Sequence, residues 1–207
     1  MTAKRVFIFA AGMYYDDVPE ISAGDFVIAA DGGYKYCKEH EIIPDLIIGD
    51  FDSLDCELKF NGKIITLPVE KDVTDTAAAL YAHDAEEFHI YGGTGGRLDH
   101  TIANIAVAAA LSKENKRCFL YGDGVIITAL TNGKISHKPQ NRGSIISIFS
   151  HTDRSVGVTL SGLKYPLNDV VLTSDNPLGI SNETLSDSFS IEVKNGTLIL
   201  IYDKIIG

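Results

Sequence analysis

The sequence contains no tryptophan, two methionines, three cysteines and six prolines in 207 residues. The cysteines, Cys37, Cys56 and Cys118, are odd in number, far apart and without a CxxC pair. That excludes a disulfide framework or a thiolate zinc site and reads as reduced thiols in a cytoplasmic protein. Positive charge is scarce too: 18 Lys and Arg stand against 28 Asp and Glu, a net charge of −10. Such a balance argues against a general binder of nucleic acid or of anionic membranes. A phosphate site, if there is one, must be assembled locally from arginine, lysine, backbone N–H groups or a metal. No apolar run approaches the ~20 residues that span a bilayer. The N-terminus runs straight into Lys4-Arg5-Val-Phe-Ile-Phe-Ala10, too short for a signal peptide and without a cleavage pattern. Without secretion, the sequons Asn182-Glu-Thr184 and Asn195-Gly-Thr197 are coincidental.

What remains is ordinary core material, 45% hydrophobic and 22% charged, enough for one large domain or two small ones. Through residue 121 the texture alternates. Short apolar runs at 5–10, 26–30, 46–48, 63–67 and 87–91 read as buried strands. Helical stretches are expected at 34–40, after Thr74-Asp75, and from about 99 to 111. The last is apolar nearly all round and is expected to be buried. Alternating strands and helices predict a mainly parallel, doubly wound α/β sheet. Beyond it helical periodicity stops. Asp123-Gly124, Asn132-Gly133 and Asn195-Gly196 are hairpin-turn signals between β-rich runs at 125–130, 134–138, 144–149, 155–160, 169–173, 188–194 and 197–202. The pattern predicts two domains, an α/β domain over 1–122 and an all-β sandwich over 123–207.

The chemistry gathers at the carboxyl ends of the first group of strands, where open α/β sheets bind ligands. Asp31-Gly32-Gly33 ends the second strand. Asp50-Phe51-Asp52 ends the third. If the extended backbone persists past Gly49, both carboxylates point the same way, as a pair holding a hard cation such as Mg²⁺ would. Thr74-Asp75 opens a helix. Gly92-Gly-Thr94-Gly95-Gly96-Arg97 leads into the next, offering flexible backbone N–H groups, a helix dipole and one guanidinium to phosphate oxygens. Asp99 could complete a metal site or orient an attacking hydroxyl. Taken singly, each feature is as well explained by a turn or a helix cap, and His100 by a helix start; their convergence on one edge favours a Mg²⁺-nucleotide site.

These motifs resemble those of the thiamin pyrophosphokinases. The resemblance lies in Ala30-Asp-Gly-Gly33, Pro44-Asp-Leu-Ile-Ile-Gly-Asp-Phe-Asp-Ser53, Lys71-Asp-Val-Thr-Asp75, Gly95-Gly-Arg-Leu-Asp-His-Thr-Ile-Ala-Asn104 and Ser181-Asn-Glu183, in family order across nearly the whole chain. It implies pyrophosphoryl transfer from ATP to thiamin with Mg²⁺, by a homodimer whose active sites are shared between subunits. It also implies site roles: Asp50, Asp52, Asp75, Asp99 and Arg97 in catalysis, the first three of them on metal. ATP would be held by Asp31, Gly32, Gly33, Lys71, Thr74, Thr94, Gly95, Gly96 and Arg97, and thiamin by Ser181 and Asn182. One departure matters: some members set a tryptophan near the thiamin ring, and this chain has none, so the side chain that stacks on thiamin is open. Two other readings compete. An aspartyl-nucleophile phosphatase would use the Asp50/Asp52 pair but leaves the glycine-rich turn and the β-rich third unexplained. A nucleotide sensor would not need four acidic residues at the phosphate edge.

Overall fold

The computed structural model describes residues 3–15, 18–51, 60–70, 72–137, 143–185 and 188–204. It divides into two compact units, Met1–Val107 with Cys118–Asp123, and Ala108–Arg117 with Gly124–Gly207.

The elements of the first stretch are β1 (Ala3–Phe9), β2 (Phe26–Ala30), α1 (Gly33–Glu39), β3 (Leu46–Gly49), β4 (Lys63–Thr66), α2 (Asp75–Ala82), β5 (Ala85–Tyr91), α3 (Leu98–Lys113) and β6 (Arg117–Tyr121). The strands order as β6-β5-β1-β2-β3-β4, and the pairs of β1 with β2 and β5, β2 with β3, and β3 with β4 are all parallel. Parallel strands covered on both faces need continuous apolar runs. Phe7, Phe9, Val27, Ala29 and Ile47 pack with Tyr34, Tyr36 and Cys37 of α1. The alternate residues Val6, Ile8, Ile28, Leu46 and Ile48 are no more than 3% exposed. Each such side chain contributes roughly 1.5–3 kcal/mol by leaving water. The outer strand β4 is exposed along most of its length, so its run is only half used.

Strands β1 to β4 step across the sheet in one direction, and β5 then returns to the other side of β1. The strand order therefore reverses between β1 and β5. In an open α/β sheet such a reversal marks the edge, beyond the carboxyl ends of the strands, where a ligand crevice forms.

Helix α3 departs from expectation. It is not buried all round: Leu98 is 71% and Ile102 59% exposed, while Asn104, Ala108, Ala109, Leu111 and Ser112 are buried. Small apolar residues on every side give the helix no dominant face, so packing alone decides which side is covered. In the second unit, the Ser112 hydroxyl lies 2.6 Å from that of Thr131.

The second stretch holds β7 (Val125–Thr131), β8 (Lys134–His137), β9 (Ile145–Ser150), β10 (Arg154–Ser161), β11 (Leu167–Thr173), β12 (Gly179–Glu183), β13 (Phe189–Glu192) and β14 (Thr197–Asp203). β14 pairs antiparallel with β7 and β9, and β12 with β9. A separate four-stranded antiparallel sheet runs β11-β10-β13-β8. Ile146, Ile148 and Leu200 of the one group meet Val158, Leu160 and Ile191 of the other in a single apolar core. All seven anticipated runs are strands, and β12 is an eighth. Its Ser181-Asn182 pair, expected between strands, lies inside one.

Candidate active site

The crevice at the β1/β5 reversal is a cleft of about 430 Å³. Its walls come from the ends of three parallel strands and two helix starts. Gly12 and Met13 follow β1, Asp31 follows β2, Gly92, Gly93, Gly95 and Gly96 follow β5, Asp75 and Thr76 open α2, and Arg97, His100 and Asn104 lie at the start of α3.

Local geometry explains these residue types. Asp31 has φ 48°, which turns the chain out of β2; its N–H donates to the Ile48 carbonyl at 2.8 Å. Aspartate tolerates this left-handed conformation better than most side chains. The β1 and β5 loops are stitched by backbone bonds, Gly12 N–H to Gly92 O at 2.8 Å and Met13 N–H to Thr94 O at 3.0 Å. A Cβ on Gly12 would lie 2.4 Å from that Gly92 oxygen, so only glycine allows the two loops to close. Gly96, at φ 65°, has open space where its Cβ would be, which leaves the backbone accessible to a ligand. The buried Asn104 donates its amide to the Gly93 carbonyl at 2.8 Å, tying the glycine loop to α3.

Of the residues anticipated from sequence, Asp31, Asp75, Gly95, Gly96 and Arg97 come together on this cleft. Asp52 and Lys71 lie outside the described residues. Others are described but do not line it. Asp50 directly follows β3, and Phe51 after it has φ 60°. A left-handed residue interrupts strand alternation, so the extended backbone does not persist through Phe51. Thr74 caps α2, its hydroxyl accepting from Ala77 N–H at 3.2 Å. The Thr94 hydroxyl donates to the Tyr121 carbonyl at 3.1 Å in the buried interior. Gly32 and Gly33 start α1, and a Cβ on Gly33 would meet the Phe9 carbonyl oxygen at 1.9 Å, so this glycine lets the helix sit on β1. Cleft residues not anticipated as ligands include Gly12, His100 and Asn104. The signal for the last two was present, since Arg97, His100 and Asn104 follow helical spacing of three and four along one face.

Asp99 is not among the residues lining the cleft; it pairs with Arg97, which is. Arg97 Nε donates to one carboxylate oxygen at 3.2 Å and a terminal nitrogen to the other at 2.5 Å. The hydrogen bonds from Arg97 hold the Asp99 carboxyl below its ordinary range, and the same contact raises the guanidinium. Both groups are solvent-exposed, so the pair adds little to stability.

One carboxylate oxygen of Asp31 and one of Asp75 are buried, and both residues line the cleft. Such hard oxygen donors suit Mg²⁺, which keeps several waters and takes one or two carboxylates with substrate phosphates. Among the described residues no group of three or more His, Cys, Asp or Glu side chains is placed to hold a metal alone.

In the second unit, the Ser181 N–H donates to Ser147 Oγ at 3.0 Å, and Ser181 has φ 53°. It stands at an irregularity in the β12–β9 register and is exposed. Asn182 is 2% exposed. Its carboxamide oxygen accepts from Tyr165 and Glu183 N–H at 2.9 and 3.0 Å, and its nitrogen donates to the Tyr165 carbonyl at 2.8 Å.

Two family descriptions match the chain, "thiamin pyrophosphokinase, catalytic domain" over residues 19–120 and "thiamin pyrophosphokinase, vitamin B1 binding domain" over 134–198. Thiamine pyrophosphokinase from Bacillus subtilis (strain 168) is 30% identical over 182 residues, spanning 84% of this chain and 85% of that one. The chain belongs to the thiamin pyrophosphokinase family. A crystal structure of the Bacillus subtilis thiamine pyrophosphokinase superposes with a TM-score of 0.86 at 27% identity, covering 97% of this chain and 99% of the other. Thiamin pyrophosphokinase from Candida albicans, at 16% identity and a TM-score of 0.79 over 97% and 90% of the two chains, shares the fold.

Proposed function

We propose that the chain transfers the terminal pyrophosphoryl group of ATP to the hydroxyl of thiamin, forming thiamin diphosphate and releasing AMP. The observation that carries this reading is the meeting of Asp31, Asp75, Gly95, Gly96 and Arg97 on one cleft in a chain of this family. The hydroxyl oxygen forms a bond to the β-phosphorus as the bond from that phosphorus to the α-phosphate oxygen breaks. Arg97 offers its planar fork to phosphate oxygens, and the amides of Gly95 and Gly96 with the start of α3 add fixed donors and a favourable dipole. Asp31 and Asp75, with Asp50 and Asp52, would hold Mg²⁺, which neutralises charge on the transferred group when bound. Positioning and electrostatics supply most of the acceleration, since this chemistry asks little covalent work of the protein.

In this reading residues 1–122 form a doubly wound catalytic domain and 123–207 a β-sandwich that binds thiamin through Ser181, with Asn182 acting from behind it. The protein works in the cytoplasm as a homodimer with shared sites. No helix among the described residues is long and apolar enough to cross a membrane. Incubating the protein with ATP, Mg²⁺ and thiamin must yield AMP and thiamin diphosphate in equal amounts; ATP hydrolysis without a thiamin product would overturn the assignment. Mixing an Asp50→Asn protein with a Ser181→Ala protein is expected to restore activity through hybrid sites carrying neither defect. No recovery despite confirmed subunit exchange would mean that each site is built within one chain.

Arg97→Lys keeps the charge and loses the fork. The KM for ATP is expected to rise about tenfold while Tm stays within a degree or two, because the Arg97–Asp99 pair is exposed. A variant that melts early with unchanged ATP affinity would assign Arg97 to structure instead.

A further inference from the structure

One chemically fragile step occurs three times in the chain: Asn61-Gly62, Asn132-Gly133 and Asn195-Gly196. Asparagine before glycine deamidates readily, because the glycine has no side chain to hinder its nitrogen. That nitrogen attacks the asparagine carboxamide carbon. An N–Cγ bond forms, the Cγ–Nδ2 bond breaks, and ammonia leaves with the proton of the glycine amide. Water then opens the succinimide ring at one of its two carbonyls, leaving aspartate or isoaspartate.

The structure brings the second and third of these steps together. β7 lies in one sheet and β8 in the other, and β13 and β14 are divided in the same way. The two Asn-Gly steps are therefore corners where the chain crosses between sheets, not the hairpin turns that their sequence suggests. They run side by side, since Thr131 pairs with Thr197 and Lys134 with Glu192. Asn132 N–H donates to the Gly196 carbonyl at 3.1 Å, and Gly196 N–H donates to Asn132 Oδ1 at 2.8 Å. This Gly196 nitrogen is the atom that would attack Asn195. The other polar group of the same peptide plane is held too, because the Asn195 carbonyl accepts from Val156 N–H at 2.7 Å. Attack requires that plane to turn and its nitrogen to lose the proton now bonded to Asn132, although the Asn195 residue itself is exposed.

The glycine cannot be exchanged to remove the hazard. Gly196 has φ 124°, and a Cβ there would lie 2.8 Å from both Cα and Oγ of Ser155. Asn61-Gly62 has no comparable protection. Both residues are exposed, and among the described residues no backbone carbonyl bonds the Gly62 N–H.

We infer that Asn195 is a latent deamidation site and that the Asn132 carboxamide guards it by holding the attacking nitrogen. The inference concerns the durability of the second unit and is independent of the activity assigned above. Isoaspartate at 195 would add a methylene to the main chain between the bonds to Val156 and to Asn132, so the guard preserves the corner from β13 to β14.

The test is peptide mapping by mass spectrometry after incubating the protein at mildly alkaline pH, with Asn61 as the internal reference. In the folded wild type, Asn61 is expected to convert first and Asn195 to lag about tenfold behind it, because conversion waits on local opening. In urea the two should convert at similar rates. Asn132→Gly keeps the left-handed backbone at this position, φ 46°, and removes the acceptor. Conversion at Asn195 is expected to rise about fivefold in that variant, the scale of one lost hydrogen bond. Asn132→Asp retains an acceptor oxygen and should protect Asn195 as the wild type does. Equal rates at Asn195 and Asn61 in the folded wild type overturn the inference, as does an Asn132→Gly protein whose Asn195 is no faster. Hydrogen exchange needs no variant and decides the matter even if Asn132→Gly does not fold. A slow Gly196 amide supports the guard, and one exchanging at the rate of an unfolded chain overturns it.

Discussion

Asp75→Asn is expected to cut thiamin diphosphate formation by at least ~10²-fold, about 2.7 kcal/mol of transition-state stabilisation. Asp75 stands in the first turn of α2, lines the cleft and has one carboxylate oxygen buried. Asparagine keeps the shape and the Thr74 cap but removes the negative charge. The lost interaction with the helix N-terminus is worth only ~0.3–1 kcal/mol, so the fold should survive with a small drop in Tm. The measurement is AMP release at saturating ATP, alongside a thermal melt. A well-folded variant turning over at the wild-type rate would remove Asp75 from the site. Asp50→Asn and Asp52→Asn are expected to lose activity to a similar degree, and they would separate a role at the phosphates from a merely local one at the end of β3.

Gly12→Ala is expected to damage both stability and turnover. Its Cβ would lie 2.4 Å from the Gly92 carbonyl oxygen and 2.8 Å from that of Thr94. Both are backbone atoms in the loop that Gly12 itself bonds, so neither can rotate aside as a side chain would. Relief requires parting the β1 and β5 loops, which breaks two backbone bonds and reshapes the cleft. A loss of roughly 2–4 kcal/mol is expected, on the scale of severe overpacking, with Tm lowered by on the order of 10 °C. Gly96→Ala is the contrast: no atom lies within 4 Å of the new Cβ, though φ is 65°. That variant should lose only about 1–2 kcal/mol from backbone strain. A Gly12→Ala protein as stable as wild type would mean that the loops are not locked together.

Much of this was legible in the chain because buried parallel strands leave an unmistakable trace. Runs such as Val-Phe-Ile-Phe and Phe-Val-Ile-Ala-Ala admit few other uses, and a ligand edge follows once their carboxyl ends are known. That Asp31, Gly95, Gly96 and Arg97 share one edge was readable for that reason. Hydroxyls were not: Thr74 and Thr94 stand beside glycine and aspartate in the motifs, yet one caps a helix and the other bonds inward. A threonine's role depends on where its Oγ points, which spacing does not encode. β12 escaped notice because Gly-Ile-Ser-Asn-Glu alternates poorly and is irregular in register. The double commitment of Asn182 to Tyr165 joins residues 17 apart, a contact no local pattern carries.

The Arg97–Asp99 pair has a bearing on how nucleotide arrives. On the proposed reading, a chain of net charge −10 would repel ATP at long range, and the guanidinium proposed to meet the phosphates has its charge cancelled at contact distance by its own neighbour. Beyond a Debye length of ~8–10 Å the approaching anion feels mostly the repulsion. Many enzymes of charged substrates draw them in electrostatically and lose association rate as ionic strength rises. Here the order would be inverted: attraction would begin only on touching, when phosphate oxygens replace the Asp99 carboxylate in the fork. Moderate salt should hasten nucleotide capture, and the ion pair makes the approach one of tolerance followed by exchange.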